Sequence, residues 1–541
     1  MTSIPPTRNE HGTMKTQRRI CTKYSCHYHI FIVFLQGVLN DLIWMRMMQK
    51  KTIFLTGATG HMGSEGLKQL LKRRDEFDIR LLVLPTENDR KAIAPYASLP
   101  GVEVIYGDLT HYDDVLRGVT NADYVLHVGG MVSPAADYFP QKTMQVNVGA
   151  VKNIIRAIKA QPNPDQVHLV YIGTVAQTGD RNDPIHWGRV GDPIKISIYD
   201  IYALSKALAE REVIESGLKH WVSLRQTGIL YPSILNTLDP IMFHQPLNGV
   251  LEWVTAKDSG VLLSHVCNQD LPEDFWCRIY NIGGGAEYRT VNWAFMQYTF
   301  TALNLGNLKD LTEPNWFVLR NFHGQWYTDS DILESYLHFR SGKIDQFIQE
   351  MAEKAPLKMK LGGFIPSSLI KHLVLKPTAK KPLGPLYWTK HNIEPRITAF
   401  YGSMDAWRAI PGWNEFKLYH PSPQPVMLDH GYDESKPKEE LDIEDMRQAA
   451  AFRGGKCLSK QMVRSDLSTQ LEWQCAFGHR FKASPRLVLL GGHWCPECFP
   501  IPWNYDEEAK RNPFFAQVWK PLHSPDEHNV YDETIIKGLQ G

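Results

Sequence analysis

Apolar and polar positions in the first half of the chain fall into short apolar bursts separated by stretches of helical period. Residues 51–56 form an apolar run that ends in glycines, and residues 65–72 open a helical pattern. Residues 79–84, 102–106, 122–128, 167–172 and 221–224 read as further strands, and residues 146–160 and 199–216 as helices. Strands alternating with helices predict an α/β fold, a Rossmann-type doubly wound parallel sheet whose ligands lie beyond the carboxyl ends of the strands. From about Gln245 the alternation degrades. The pattern divides the chain into a leader (1–47), a dinucleotide-binding sheet domain (48–244), a mixed substrate-binding region rich in Trp, Phe and His (245–430), and a linker helix with a small metal module and tail (431–541).

The leader is polar and basic to Lys23, then apolar over 28–45 apart from His29, Gln36, Asn40 and Asp41. It is short and interrupted for a membrane span, and no small-residue cleavage site follows. The expectation is a disordered or upstream extension, with the natural start at Met47 or Met48; an amphipathic anchor is the alternative.

With 541 residues, 43% hydrophobic and 22% charged, the chain has ample core for two or three domains. A net charge of +1 gives no electrostatic case for nucleic acid or for a membrane, so a small-molecule substrate is expected. Of eight cysteines, four cluster near the C-terminus beside His479, which favours a metal site in a reduced, cytoplasmic compartment over a disulfide framework. Residues 346–381 are rich in lysine with apolar interleaving: a solvated helical surface, or a clamp for an anionic substrate.

Strand, glycine turn and helix together are the arrangement that seats a dinucleotide pyrophosphate on a helix N-terminus. Gly57, Thr59, Gly60, His61, Met62 and Gly63 are the candidates there. Tyr202 and Lys206 stand four apart, on one helix face, where an ammonium would favour the phenolate and bring the tyrosine toward proton-transfer range. The second strand runs into Leu84-Pro85-Thr86 with no acid for ribose hydroxyls, and Arg90 and Lys91 follow. NAD and NADP both stay open, with a slight lean to NADP.

These residues resemble the extended short-chain dehydrogenase/reductase family, which includes nucleotide-sugar epimerases and many carbonyl reductases. The likeness covers roughly residues 51–281. Besides Thr56 to Gly63, it rests on Gly107-Asp108-Leu109, His127-Val128-Gly129-Gly130, Asn147-Val148-Gly149 with Asn153 nearby, and Arg225 to Pro232. The resemblance implies cofactor contacts from Asp108, Leu109, Val128, Gly129, Gly130, Asn147 and Lys206. It makes Tyr202 the proton carrier, Lys206 its tuner and Thr174 the hydroxyl that orients substrate. It further implies a homodimer pairing through residues 146–160 and 199–216. Dehydratases of the family carry an acidic pair directly after the catalytic threonine; Val175-Ala176 stands here, which disfavours dehydration.

Cys475-x3-His479 and Cys495-x2-Cys498 offer four N/S ligands at spacings suited to tetrahedral structural zinc. The stretch resembles a treble-clef zinc finger of the Cys-Gly-His type, with Cys457 able to replace His479. The expected function is a nicotinamide-dependent oxidoreductase or epimerase acting on a hydroxyl or carbonyl. The alternative is a non-catalytic cofactor sensor whose zinc module recruits a partner.

Overall fold

The computed structural model describes residues 50–236, 238–360, 364–498 and 504–529. The leader reading falls on residues outside these. Seven parallel strands form the central sheet: β1 (Lys51–Thr56), β2 (Phe77–Val83), β3 (Val102–Tyr106), β4 (Tyr124–His127), β5 (His168–Thr174), β6 (His220–Gln226) and β7 (Arg278–Ile282). Their order across the sheet is 7-6-5-4-1-2-3. All the pairings are parallel, as between β4 and β5, where Tyr124 lies beside His168. The order reverses between β1 and β4, the switch point where sheets of this kind take their ligands. The fold is a Rossmann-type doubly wound α/β sheet.

Helices cover both faces, as parallel strands require. One apolar layer joins Ile53, Leu55, Leu81, Leu126, Val170 and Leu224 of the sheet, and Leu67 of α1 (His61–Leu70), to Leu262, Leu263 and Val266. These last three belong to a helix, Ala256–His265, and the residue that ends it, beyond the expected boundary at 244. β7 lies beyond it too. The sheet domain therefore reaches at least Ile282, and the short polar-flanked run Arg278–Ile282 finds its place only by pairing with β6.

The opposite layer holds a larger departure. Val151, Ile154, Ile155 and Ile158 of α2 (Ala150–Lys159) and Val213 and Ile214 of α3 (Ile201–Ile214) share one buried cluster with Ala449, Ala450, Trp473, Leu487, Val488 and Leu489. The cysteine-bearing module is thus built onto the sheet domain. It comprises α4 (Ile443–Phe452), the antiparallel strands β8 (Lys456–Cys457), β9 (Leu471–Gln474) and β10 (Arg480–Ala483), and two later helices, α5 (Tyr505–Arg511) and α6 (Pro513–Trp519). Those later helices cover another side of α3, where Ala203, Leu204 and Ala207 pack with Tyr505, Phe515 and Trp519. The homodimer expected from the sequence would pair through α2 and α3, and residues of the C-terminal region pack against both helices.

The acidic stretch 429–445 that leads into the module is pinned. His430 is buried between Asp192 at 2.9 Å and Glu434 at 2.8 Å, and Arg189 pairs with Glu434 at 2.6 Å.

Candidate active site and cysteine-histidine cluster

The turn after β1 is shaped by how closely its backbone folds on itself. Gly57 has φ +75°, and a Cβ there would lie 2.6 Å from the Gly129 nitrogen; a Cβ on Gly63 would lie 2.1 Å from the Gly57 carbonyl oxygen. Neither position admits a side chain. Gly60 is different, since a Cβ there would meet only that same oxygen, at 3.4 Å. Gly60 is also the N-cap of α1, with no side-chain cap and no acid in the first turn. The free N–H groups and positive end of the dipole are therefore left for an anion. Thr59 lies in the turn, while His61 and Met62 begin the helix, and the His61 ring stacks on Tyr231 at 3.6 Å.

The second wall is the loop after β4. Thr56 Oγ1 lies 3.0 Å from His127 Nδ1 and accepts from the Gly129 backbone at 3.0 Å, which ties this loop to the glycine turn beside Val128. Asn147 holds the next residues. Its Oδ1 accepts from Met131 N at 2.8 Å, and its Nδ2 donates to Met131 O at 2.9 Å and to Ser205 Oγ at 2.8 Å. Asn147 sits in a π-helical turn, Gln145–Gly149, an irregularity that aims this amide across at α3. Gly130 lies against both, a Cβ there being 2.9 Å from Asn147 Oδ1 and 3.5 Å from Lys206 Nζ. Gly107-Asp108-Leu109 follows β3: Asp108 accepts from the backbone and hydroxyl of Thr110, and Asn153 binds the Leu109 carbonyl at 3.0 Å.

Thr174, Tyr202 and Lys206 come together from β5 and α3. Asp200 caps α3 by accepting from Ala203 N at 2.8 Å. That fixes the helix start, and with it the face carrying Tyr202 and Lys206. The Lys206 ammonium is buried, donates to Ile172 O at 2.8 Å and lies 5.1 Å from the Tyr171 ring. Burial pulls its pKa down to about 8. Burial pushes Tyr202 up to about 12, opposed by a hydrogen bond with Thr174. The expected lowering of the phenol is absent, because Lys206 directs its charge at a carbonyl and partial burial weighs against the phenolate. Near neutral pH, Tyr202 carries its proton and can donate it.

Thr174 is held by its own backbone. It caps a short helical turn in which the Gln177 side chain accepts from Thr174 N at 2.8 Å. Gln177 in turn donates to Glu210 at 2.8 Å, one helical turn past Lys206. The buried Glu210 also receives Ser223 at 2.6 Å, Arg225 at 2.7 Å and His493 at 3.0 Å, and Arg225 donates to Gly491 O at 2.7 Å. Burial would raise the Glu210 carboxyl, but the Arg225 guanidinium and His493 outweigh it and hold the group far below the usual carboxylate range. Sequence reading missed Gln177, Glu210 and His493, since nothing in their spacing marks them. Near the start of α3, burial and Asp200 push Asp137 up to about 7, while Arg396 lies over the Tyr199 ring at 4.0 Å.

The module's four ligand candidates also converge. Cys475, His479, Cys495 and Cys498 place one ligand atom each within 4.8 Å of one another. Cys457 is not in this group. The Sγ atoms of Cys475 and Cys498 are 3.7 Å apart, and His479 Nδ1 lies 3.3 Å from Cys498 Sγ and 3.8 Å from Cys495 Sγ. A tetrahedron with zinc–sulfur bonds of about 2.3 Å has edges of about 3.8 Å, so the donor set fits such an ion. Backbone bonds from Gly478 N to Cys475 O and from Cys475 N to His479 O, both 3.0 Å, close the first ligand turn.

With fold and site in view, the class is a Rossmann-type sheet with a dinucleotide-type glycine turn. Residues 54–232 match the 3-beta hydroxysteroid dehydrogenase/isomerase family. A UDP-glucose 4-epimerase of Rickettsia bellii (strain RML369-C) is 28% identical over 117 residues, 20% of this chain and 33% of the epimerase. Human 3 beta-hydroxysteroid dehydrogenase type 7 is 28% identical over 174 residues, 31% of this chain and 45% of that protein. The matches thus span about a third to under a half of these relatives. Among solved structures, the UDP-glucose 4-epimerase of Thermus thermophilus, in complex with NAD, aligns with 57% of this chain and all of its own, at 17% identity and a TM-score of 0.43.

Proposed function

We propose that this chain is an NAD(P)-dependent oxidoreductase or epimerase of the extended short-chain dehydrogenase/reductase type, acting on a hydroxyl or carbonyl of a small molecule. The observation that carries the reading is the meeting of Thr174, Tyr202 and Lys206 at the carboxyl end of β5, beside an uncapped α1 N-terminus. Gly57 to Gly63 would hold the pyrophosphate, Asp108 and Leu109 the adenine end, and Gly129, Gly130, Asn147 and Lys206 the nicotinamide end. The cofactor would supply hydride transfer. Tyr202 would pass its proton to the substrate oxygen, Thr174 would orient that oxygen through its hydroxyl, and Lys206 would lend positive charge. Arg90, 4.0 Å from the Tyr106 ring at the edge of β3, supports a lean to NADP, because its guanidinium stands near the adenine side.

The relatives' names span sugar nucleotides and steroids, and both substrates carry a secondary hydroxyl on a ring. A screen of nucleotide sugars and hydroxysteroids with NAD and NADP, read by reduced-cofactor absorbance and product stereochemistry, tests the reading. Cofactor binding without any turnover would favour the alternative, a non-catalytic sensor; the intact Tyr202 and Lys206 argue against it. The cofactor geometry has its own test. Gly60→Val should fold, having only one near neighbour, and should lose binding of both dinucleotides in calorimetry.

A further inference from the structure

The net charge of +1 conceals a local asymmetry. Residues 354–381 contain seven lysines and no aspartate or glutamate. Within them runs a helical segment made of Ser367–Ile370, a π turn Lys371–Leu375, and Lys376–Ala379. Its inner side is anchored: Ile370, Leu375 and Ala379 pack with Phe243, Leu308, Leu311 and Trp316. Ser367 Oγ also donates to Leu305 O at 3.1 Å, and Lys371 pairs with Glu313 at 2.6 Å.

The outer side carries large apolar groups in water. Phe364 is 83% exposed, Leu373 70%, Leu369 48% and Ile365 47%, and Leu357 just upstream is 72% exposed. Scattered exposed leucines need no explanation, but four large apolar residues between 364 and 373, on an anchored helix and the turn before it, do. Lys360 and Lys380 are exposed beside them, and His372 and Lys376 lie on the same segment. Apolar side chains beside Lys360, Lys376 and Lys380, with Lys371 and Lys354 already paired to Glu313 and Glu350, complement one surface chemistry: an anionic headgroup layer above hydrocarbon. A water-facing helix would gain nothing from Phe364 and Leu373, and an acidic protein groove would not need so many apolar contacts flanked by basic groups.

We propose that this face docks the protein on the surface of an anionic lipid bilayer. The apolar groups enter the headgroup boundary, and the lysines stay at phosphate level. Nothing here spans the bilayer: among the described residues no helix is long and apolar enough to cross it. Lys381 donates to Leu238 O at 2.9 Å. Leu238 is itself 45% exposed, so the apolar surface continues at least that far.

The test is vesicle flotation with the full chain, using phosphatidylcholine alone and phosphatidylcholine with about 30% phosphatidylserine, a strongly anionic surface. Binding is expected only to the anionic vesicles, weakening as salt rises. Lys376→Glu with Lys380→Glu should weaken it at least about fivefold per lysine, the equivalent of about 1 kcal/mol each near an anionic surface. Leu369→Asp with Leu373→Asp should remove it, and both pairs, lying at the surface, should leave thermal unfolding unchanged. Failure to float with anionic vesicles at low salt would overturn the proposal. So would flotation that both double variants leave intact, since binding would then lie elsewhere in the chain. A vesicle-free dimer, seen by light scattering and abolished by Leu369→Asp with Leu373→Asp, would also overturn it by making a second copy the occupant.

Discussion

The glycine turn and the cysteine cluster are both tight turns, and they are held in opposite ways. At Gly57 and Gly63 the backbone packs on itself with no room for a Cβ, and the α1 N-terminus beside it carries no side-chain cap. At Cys475, His479, Cys495 and Cys498, four side-chain atoms point inward at one place. The first arrangement leaves its binding groups open for a ligand that comes and goes. The second has four donors and no open position, so an ion there can only hold structure. The two are not independent, because Glu210 joins them: one carboxylate reaches Gln177, which holds Thr174, and also His493, two residues before Cys495.

The comparison can be broken first on its chemical side. Tyr202→Phe should lower turnover about 10²-fold or more, the scale of general acid–base catalysis, while leaving cofactor affinity nearly intact. Steady-state rates beside calorimetric titration check this, and unchanged turnover would remove Tyr202 from the role. Next comes the shared carboxylate. Glu210→Ala strands the buried Arg225 without its partner, an effect of about 3–5 kcal/mol, so denaturant unfolding should shift by that amount. Since Glu210 ionises far more readily in the fold than when unfolded, its contribution is present above the ordinary carboxylate range and is lost as pH falls below it.

The metal side gives the third contrast. Purified protein should hold about one zinc per chain by elemental analysis, and Cys495→Ser should lose it and loosen the module. Dinucleotide binding should survive, because the glycine turn lies across the sheet. Turnover should fall together with the module's stability, through the path from His493 to Thr174. Unaltered turnover in metal-free protein would show that Glu210 does not transmit. The smallest effect concerns pH. With Lys206 near 8, its ammonium is present below that value and lost above it, so carbonyl reduction should decline about tenfold per unit above pH 8. Lys206→Arg, which stays charged, should flatten that alkaline limb.

Much of the fold was legible because it depends on local period. Residues 102–106 were readable as a strand by alternation, and β3 has those bounds. The fifth strand was placed at 167–172 and runs from His168 to Thr174, a shift too small to move Thr174 off its end. Tyr202 and Lys206 were legible because residues four apart on a helix always share a face. Gln177, Glu210 and His493 were not, since their meeting joins a loop, a helix and a segment hundreds of residues away. The phenol's rise was equally hidden, because spacing reveals which charges are near and does not reveal how far the ring is buried.

By itself, the sequence determined the alternation that builds the parallel sheet, the glycines that only a close backbone approach would demand, and the two ligand spacings of the cysteine cluster. Each is a local property, fixed by chain geometry over a few residues. Tertiary structure alone decided that the sheet takes its last strand from Arg278–Ile282, and that residues of the C-terminal region pack against α2 and α3. It also decided that Phe364, Ile365, Leu369 and Leu373 stay exposed while Ile370 and Leu375 pack inward. These follow from which surfaces meet and which stay bare, and burial of apolar area settles that over the whole chain at once.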